Sequence, residues 1–343
     1  MDNLKAVRQE AERILAEGLV KYVIGYGAGP DGLMSIPVFI NKAEDARKLM
    51  WGPSCVYNLT LFLVDEKKRK GREKNPDTRP VGIVVKGCDS RAVNVLLQEN
   101  YIQRGDVYIL GVSCENGGMI DFDKLTRTLD VNKVRSVEFG PNNAFTVTAE
   151  KERLEIPAKE ILAGRCLECT TTFPVVYDVL FGQQVGREIK GANVSLEGQE
   201  KLSSEQRWEF WQKQFEKCVR CYACRSVCPM CYCEECVVDS INFAVMPDTS
   251  AEEKAQKIKW IERSAGRSEN CIYHLVRAIH LAGRCVDCGE CERVCPQKIP
   301  IRHLNKKMEK EAKRLFDYSA GLDSSRLPLV ASFRENDPED FIR

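Results

Sequence analysis

Histidine is scarce, with three residues in a chain of 343, and no serine–histidine–aspartate or cysteine–histidine set stands out as a nucleophile with its base. Long apolar runs are missing too: no stretch of eighteen apolar residues occurs, so no membrane-spanning helix is expected. An excess of either charge is absent. Lys and Arg number 51 against 50 Asp and Glu, a formal net charge of +1, which leaves no global basic field for nucleic acid. The opening "MDNLKAVRQEAERILAEG" lacks the apolar core of a signal peptide and reads as a charged amphipathic helix. Cysteine breaks this pattern of scarcity. Seventeen cysteines without a secretion signal argue against a disulfide scaffold and for metal, in a reducing compartment that is most simply the cytoplasm.

Residues 218–236 read "CVRCYACRSVCPMCYCEEC", seven cysteines in nineteen residues. Cys218, Cys221, Cys224 and Cys228 follow C-x2-C-x2-C-x3-C-P, and Cys285, Cys288, Cys291 and Cys295 repeat it, with Pro229 and Pro296 closing the runs. Three thiolates so spaced wrap three irons of a cubane, and in two-cluster ferredoxins the fourth cysteine of each run ligates the other cluster. One [4Fe–4S] set is therefore Cys218, Cys221, Cys224 and Cys295, and the second is Cys285, Cys288, Cys291 and Cys228. A zinc pair is the plainer alternative, but zinc calls for paired C-x2-C ligands rather than this run with proline. The fifty-six residues between Cys228 and Cys285 are long for a compact β-type ferredoxin. The text from Ser250 to Cys285 is helical in composition, with Leu275, Ala278, Ile279 and Ala282 expected along one face. It resembles the helical ferredoxins of subunits related to succinate dehydrogenase and heterodisulfide reductase.

The first half alternates helix-like and strand-like text, so the fold class is an α/β N-terminal domain followed by a mainly α-helical two-cluster ferredoxin domain. "LVKYVIGYGAG" and "MSIPVFI" read as strands, and "NKAEDARKLMWG" as a helix with Asn41 as N-cap. "DEKKRKGREKNPDTRP" reads as a surface loop, whose charge is either solvated or a docking patch for an acidic redox partner such as ferredoxin. "VGIVVKG", "CDSRAVNVLLQEN" and "DVYILGVSC" form a strand–helix–strand unit with parallel strands. Short strands near 134–139 and 144–149 and a helix near 157–163 complete the domain. Polar text from about 190 to 205 marks a linker. The expected boundaries are 1–195, 196–320 and a polar tail over 321–343. Trp208, Trp211 and Phe215 sit at helical spacing before the first run and shield it by packing.

Cys88 and Cys114 stand at the C-terminal ends of two adjacent strands, with Asp89 or Ser90 placed to cap the helix that follows Cys88. A right-handed crossover brings those ends to one sheet edge, where open α/β sheets place ligands. Cys166 and Cys169 add a C-x2-C pair in "GRCLECTT". Four thiols converging there would hold another [4Fe–4S]; buried core thiols at 88 and 114 are the alternative.

The stretches "VVKGCDSRAV", "ILGVSCENG", "EIPAKEILAGRCLEC" and "YDVLFG" resemble the beta-subunit family of deazaflavin-reducing hydrogenases and formate dehydrogenases, over roughly residues 20–190. The resemblance implies an iron–sulfur cluster on the α/β domain held by Cys88, Cys114, Cys166 and Cys169, and electron passage between a partner subunit and a hydride carrier. It also implies a flavin, but the family's flavin-binding members open their N-terminal helix with Gly-Gly, and this chain has no glycine there before Gly18. Gly27, Gly29 and Gly32 fit G-x-G-x-x-G after a strand. They lead into "LMSIPVFI" rather than a helix, so a turn is expected and a dinucleotide loop is the alternative.

Three cysteines of the opening stretch remain. Cys231, Cys233 and Cys236, completed by Cys271 or by His274, would hold a fourth [4Fe–4S] or a structural zinc; the alternative is packing beside the first two clusters. Cys55 reads as a core thiol. The functional expectation is an iron–sulfur electron-transfer subunit of a cytoplasmic oxidoreductase complex in an anaerobe, of the hydrogenase, formate dehydrogenase or heterodisulfide-reductase-like kind. Its partners are other subunits, a ferredoxin or a flavoprotein, with no nucleic acid. The alternative is an FAD-containing subunit exchanging hydride with a deazaflavin or nicotinamide carrier.

Overall fold

A computed structural model of the chain describes residues 3–30, 32–114, 117–150, 152–184, 186, 193–233, 236, 238, 250 and 264–332. Helix α1 (Asn3–Ala16) buries Val7, Ala11 and Ile14, spaced by four and three residues, which is one helical stripe. Strands β1 (Val23–Ala28) and β2 (Ser35–Ile40) pair antiparallel as a hairpin. Helix α2 (Leu61–Lys70) leads to β3 (Val81–Val85), α3 (Gly87–Gln98) and β4 (Val107–Val112), the expected parallel βαβ unit. After β8 (Val179–Phe181) joins, the sheet order is β2-β1-β3-β4-β8, parallel except for β2.

All five residues of β3 are buried because both faces are covered. On one face Val84 meets Leu110 and the α1 stripe. On the other, Ile83 and Val85 meet Ala92, Val93 and Leu96 of α3 and Leu63 of α2. A second sheet of three antiparallel strands, β5 (Val134–Phe139), β6 (Ala144–Ala149) and β7 (Glu152–Pro157), packs Phe145, Val147 and Ile156 inward. Strand β7 was hidden by charge, since only Ile156 of its six residues is fully buried. Short helices α4 (Phe122–Thr128), α5 (Ala158–Ile161) and α6 (Gly164–Leu167) flank this sheet.

The C-terminal half is helical: α7 (Val194–Glu200), α8 (Ser204–Glu216), α9 (Ala223–Ser226), α10 (Arg267–Leu281), α11 (Glu290–Arg293) and α12 (Ile301–Phe316). Ser203 caps α8, accepting from Gln206 N at 3.2 Å while Gln206 Oε1 accepts from Ser203 N at 2.9 Å. Helix α10 packs on α8 and α12. No helix among the described residues is long and apolar enough to cross a membrane.

Several expectations are corrected. The Asn41 helix is a 3-10 turn over Ala43–Lys48 with Lys42 at its N-cap. The charged loop is helical through Lys70, because Leu63 and Val64 pay into the core and the four basic residues of the last turn complement the helix dipole. The described part of the linker forms α7, held where Glu168 accepts from Ser195 N at 2.6 Å and Oγ at 3.0 Å. On α10, Ala278 is buried as expected, but Leu275 and Ile279 are exposed, and the buried side also carries Asn270, Tyr273, His274, Arg277 and Leu281. Residues 251–263 of that helix-like text lie outside the described residues.

The first residues of the expected tail form a strap on α3. Arg91 Nε and Nη2 donate to Ala320 O at 2.9 and 2.7 Å, and Asn94 Nδ2 donates to Gly321 O at 3.0 Å. Gly321 has φ +67°, and a Cβ there would stand 2.2 Å from Arg91 O, so only glycine lets the strap lie this close. Residues 333–343 lie outside the described residues.

Glu66 of α2 couples this half to acidity. Burial pushes its carboxyl up, but Lys21, Tyr22 (2.5 Å) and Arg69 (2.9 Å) bind the anion and the net effect is a lowered pKa. A folded pKa below the unfolded value of about 4.3 contributes stability that is present above that pH and lost as pH falls through the folded value. Glu66→Gln is expected to flatten the stability curve on the acid side of about pH 4.3. Urea midpoints measured from pH 7 down to pH 3 check this, and parallel curves for the two proteins would refute it.

Candidate metal centre

The two cysteine runs fold alike. In the first, Arg220 (φ 53°) and Tyr222 (φ 60°) take left-handed conformations on either side of Cys221, and Asp287 (φ 55°) and Gly289 (φ 70°) do the same around Cys288. Each pair of reversals turns the chain back around its cysteines and opens a one-turn helix, α9 carrying Cys224 and α11 carrying Cys291. Three left-handed non-glycine residues are a cost that the surrounding structure must repay, and they fall where the thiols have to converge.

The fourth cysteine of the second run crosses over to the first. Cys218, Cys221, Cys224 and Cys295 line one small pocket together with His274 and Ile299. Ile299 N donates to Cys295 Sγ at 3.4 Å, and Tyr273 Oη stands 3.6 Å from Cys224 Sγ. Cys228 in turn packs with Cys285 and Cys288 against the main core, and its charge neighbours include Cys288. Cys285 faces both Cys288 and Cys291, and Asn305 Nδ2 lies 3.8 Å from Cys291 Sγ.

The third set lies at the sheet edge. Cys88 is the second residue of α3, directly after β3, and Cys114 follows β4, its N–H donating to Thr172 O at 2.6 Å. Asp89 caps α3 by accepting from Lys86 N at 3.2 Å, and its carboxylate pairs with buried Lys86 at 2.8 Å. Cys166 on α6 and Cys169 just beyond it complete the group, and all four thiols line one cavity of about 460 Å³. Met119 N donates to Cys166 Sγ at 3.3 Å. Close approach is built in: a Cβ on Gly87 would stand 2.1 Å from Thr171 O, and one on Gly118 would stand 2.4 Å from Cys166 Cβ. Burial pushes the thiols of Cys88, Cys114 and Cys169 up, so as free side chains they are neutral; a coordinating metal deprotonates a thiol outright.

Two buried arginines lie beside these sets. Arg277 donates through Nη1 to Cys224 Sγ at 3.2 Å and lies 3.8 Å from Cys231 Sγ through Nη2. Arg165 donates to Val56 O at 2.7 Å and has Cys166, Glu290, Cys88 and Cys288 as charge neighbours. A buried guanidinium is costly unless negative charge faces it. Thiolate sulfurs carrying an anionic iron–sulfur group supply that charge, so the donor chemistry of all three sets fits the group. Sequence reasoning missed both arginines. Arg277 left a readable signal, a charge four residues from both Tyr273 and Leu281 on one helical stripe.

The leftover cysteines are dispersed. Cys231 N donates to Cys228 O at 3.0 Å, and the Cys228 thiol lowers the pKa of Cys231 beside it. Cys236 packs with Cys224 and Tyr273, while Cys233 is exposed. Cys271 faces Arg267 and Glu216, and it lies six residues before Arg277, on another side of the helix. His274 stacks on Phe215 at 4.8 Å; burial lowers its pKa to about 3. The described residues thus do not gather Cys271 or His274 onto Cys231, Cys233 and Cys236, and among them no three His, Cys, Asp or Glu side chains close around a single ion. Cys55 is a fully buried core thiol. Gly27 lies within β1, paired with Ile36, while Gly29 and Gly32 form the β1–β2 turn, where Gly29 N donates to Met34 O at 2.7 Å and Gly32 N to Gly29 O at 3.0 Å. No helix N-terminus follows them, so the dinucleotide alternative is corrected to a turn.

No family model matches the chain. The F420-dependent formate dehydrogenase subunit beta of Methanocaldococcus jannaschii is 24 % identical over 92 % of this chain and 91 % of its own length. The F420-dependent formate dehydrogenase 1 subunit beta of Methanococcus maripaludis is 23 % identical over 92 % of this chain and 90 % of its own. Among solved structures, a chain of the F420-reducing [NiFe] hydrogenase complex from Methanosarcina barkeri, studied by xenon derivatization, is 19 % identical with a TM-score of 0.37, covering 50 % of this chain and 62 % of that one. That last likeness is too loose to argue from. Along nearly its whole length, this chain resembles the beta subunits of F420-dependent formate dehydrogenases.

Proposed function

We propose that the chain is an iron–sulfur electron-transfer subunit of an anaerobic, cytoplasmic oxidoreductase complex, with an α/β domain over 1–195 and a two-cluster ferredoxin domain over 196–320. What supports this reading is that Cys88, Cys114, Cys166 and Cys169 line one cavity with Arg165, that Cys218, Cys221, Cys224 and Cys295 line another, and that Arg277 donates to Cys224. A [4Fe–4S] group, when bound, exchanges one electron at a time at a potential set by charge, hydrogen bonds to sulfur and exposure. The chain's own residues hold and shield: the thiols ligate, Met119 N, Ile299 N and Arg277 donate to sulfur, and Phe215 and His274 cover the first set. Twelve of the seventeen cysteines are used, and in this reading the partner subunits supply the substrate chemistry. Their nature as formate dehydrogenase subunits follows the named relatives.

The FAD alternative has one observation in its favour. The 460 Å³ cavity is lined on one side by Lys306, Lys310, Lys313 and Arg314, positive charge suited to a flavin's phosphates. It stands second because Lys306 already binds Glu168, Lys310 binds Glu200 and Lys313 binds Asp317. Iron, acid-labile sulfide and acid-released flavin, measured per full chain after anaerobic purification, decide between them. The expected result is about twelve irons with no flavin. Flavin near one per chain would replace the relay by the alternative, and iron well below about eight would remove both ferredoxin sites.

A further inference from the structure

Resting on the relay reading, we infer that Arg277 and Arg165 are potential-setting residues: two permanent buried cations that stand at the junctions of a linear series. The series runs from the Cys224 set, across Arg277, to the Cys228 set, and across Arg165 to the Cys88 set.

The geometry at the first junction is direct. Arg277 is 3 % exposed. Its Nη1 donates to Cys224 Sγ at 3.2 Å, and its Nη2 reaches Cys224 O at 3.2 Å and Cys231 Sγ at 3.8 Å. Cys228 of the next set is also among its charge neighbours. Among the described residues it has no carboxylate partner, so its charge is directed at sulfur. The second junction is arranged differently to the same effect. Arg165 is 8 % exposed and anchored on Val56 O; it lines the cavity with Cys88 and Cys166, and its side chain packs on Gly289, the neighbour of Cys288. Glu290 comes no nearer than 3.8 Å and is already bound in two places by Arg293. Gly289 makes the passage possible, since a Cβ there would stand 2.9 Å from Arg165 Cδ.

Reduction adds one negative charge to a site, and a fixed cation in a low-dielectric interior favours that charged state. Each arginine therefore raises the potentials of the two sites it separates and leaves the remote site alone. An isolated pair of surface charges would be screened; these are not.

The test uses the full chain purified anaerobically, with redox titration followed by electron paramagnetic resonance and iron measured for every variant. Cys166→Ser identifies the signal of the sheet-edge site. Arg277→Met is expected to make the two doubled-motif sites about tenfold harder to reduce, a fall of about 59 mV for one electron, with the sheet-edge site unmoved. Arg165→Met is expected to lower the sheet-edge site and one doubled-motif site by a similar amount, leaving the other unmoved. Arg277→Lys and Arg165→Lys keep the charge and should restore most of each shift. Unchanged potentials at full iron content would overturn the inference while leaving the relay intact. Equal shifts at all three sites, or equal iron loss in the Met and Lys variants, would also overturn it by showing a structural role. A wild-type chain without iron would end both.

Discussion

Replacing Cys166 by serine should lower the iron content of the anaerobically purified full chain from about twelve atoms to about eight. Cys88 and Cys114 come from successive parallel strand ends, while Cys166 and Cys169 arrive from a separate helix more than fifty residues later, and all four open onto one cavity. Cys166 is the most tightly placed of them, packed against Gly118 and receiving the Met119 N–H. A serine hydroxyl keeps the size but is a poor ligand for a soft iron–sulfur site. The two ferredoxin sets share no cysteine with this one, so their iron should remain. Cys55→Ser, in the apolar core, is the matching control and should leave iron unchanged. Iron that stays at about twelve in Cys166→Ser would remove Cys166 from the ligand set.

Glu168→Ala should be among the most destabilising single changes in the chain, at about 3–5 kcal/mol. Glu168 Oε2 accepts from Arg302 Nη2 and Lys306 Nζ, both at 2.6 Å, and all three side chains are buried. Asp287 binds the same two cations, at 2.6 Å from Arg302 and 3.1 Å from Lys306. Removing Glu168 leaves two buried cations with one carboxylate between them, and the uncompensated charge dominates the loss. The same change frees α7 from the end of α6, because Ser195 also depends on Glu168. Glu168 lies between Cys166 and Cys169 and Asp287 between Cys285 and Cys288, so the network locks the sheet-edge set against the second ferredoxin set. Urea unfolding under anaerobic conditions reads the effect, with Ser195→Ala as a milder comparison. A midpoint for Glu168→Ala no lower than that of Ser195→Ala would show that the ion pairs add nothing.

Local features were legible from residue spacing. C-x2-C-x2-C-x3-C-P is readable because its first three thiols lie within six residues, where backbone reversals alone bring them together. The βαβ unit was readable because β3 and β4 are continuous apolar runs bracketing an amphipathic helix, and that placed Cys88 and Cys114 at one edge. The turn at Gly29 and Gly32 was legible because no helix-forming pattern follows them, whereas Gly27 belongs to β1.

Features that depend on distant residues were set by packing. Helix α2 continues into charged text because Leu63 and Val64 find a core and Glu66 finds Lys21, a residue forty-five positions earlier. The strap after Tyr318 looked polar, yet its backbone oxygens satisfy Arg91 and Asn94 more than two hundred residues away. Cys271 lies near the start of a helix that could be brought over Cys231, Cys233 and Cys236, and only the packing of α10 on α8 decides which groups stand near it, among them Arg267 and Glu216. Arg165 and Arg277 carry the same lesson. A buried charge is unfavourable in isolation and becomes stable only where the fold brings opposite charge to it, and no local spacing records that meeting.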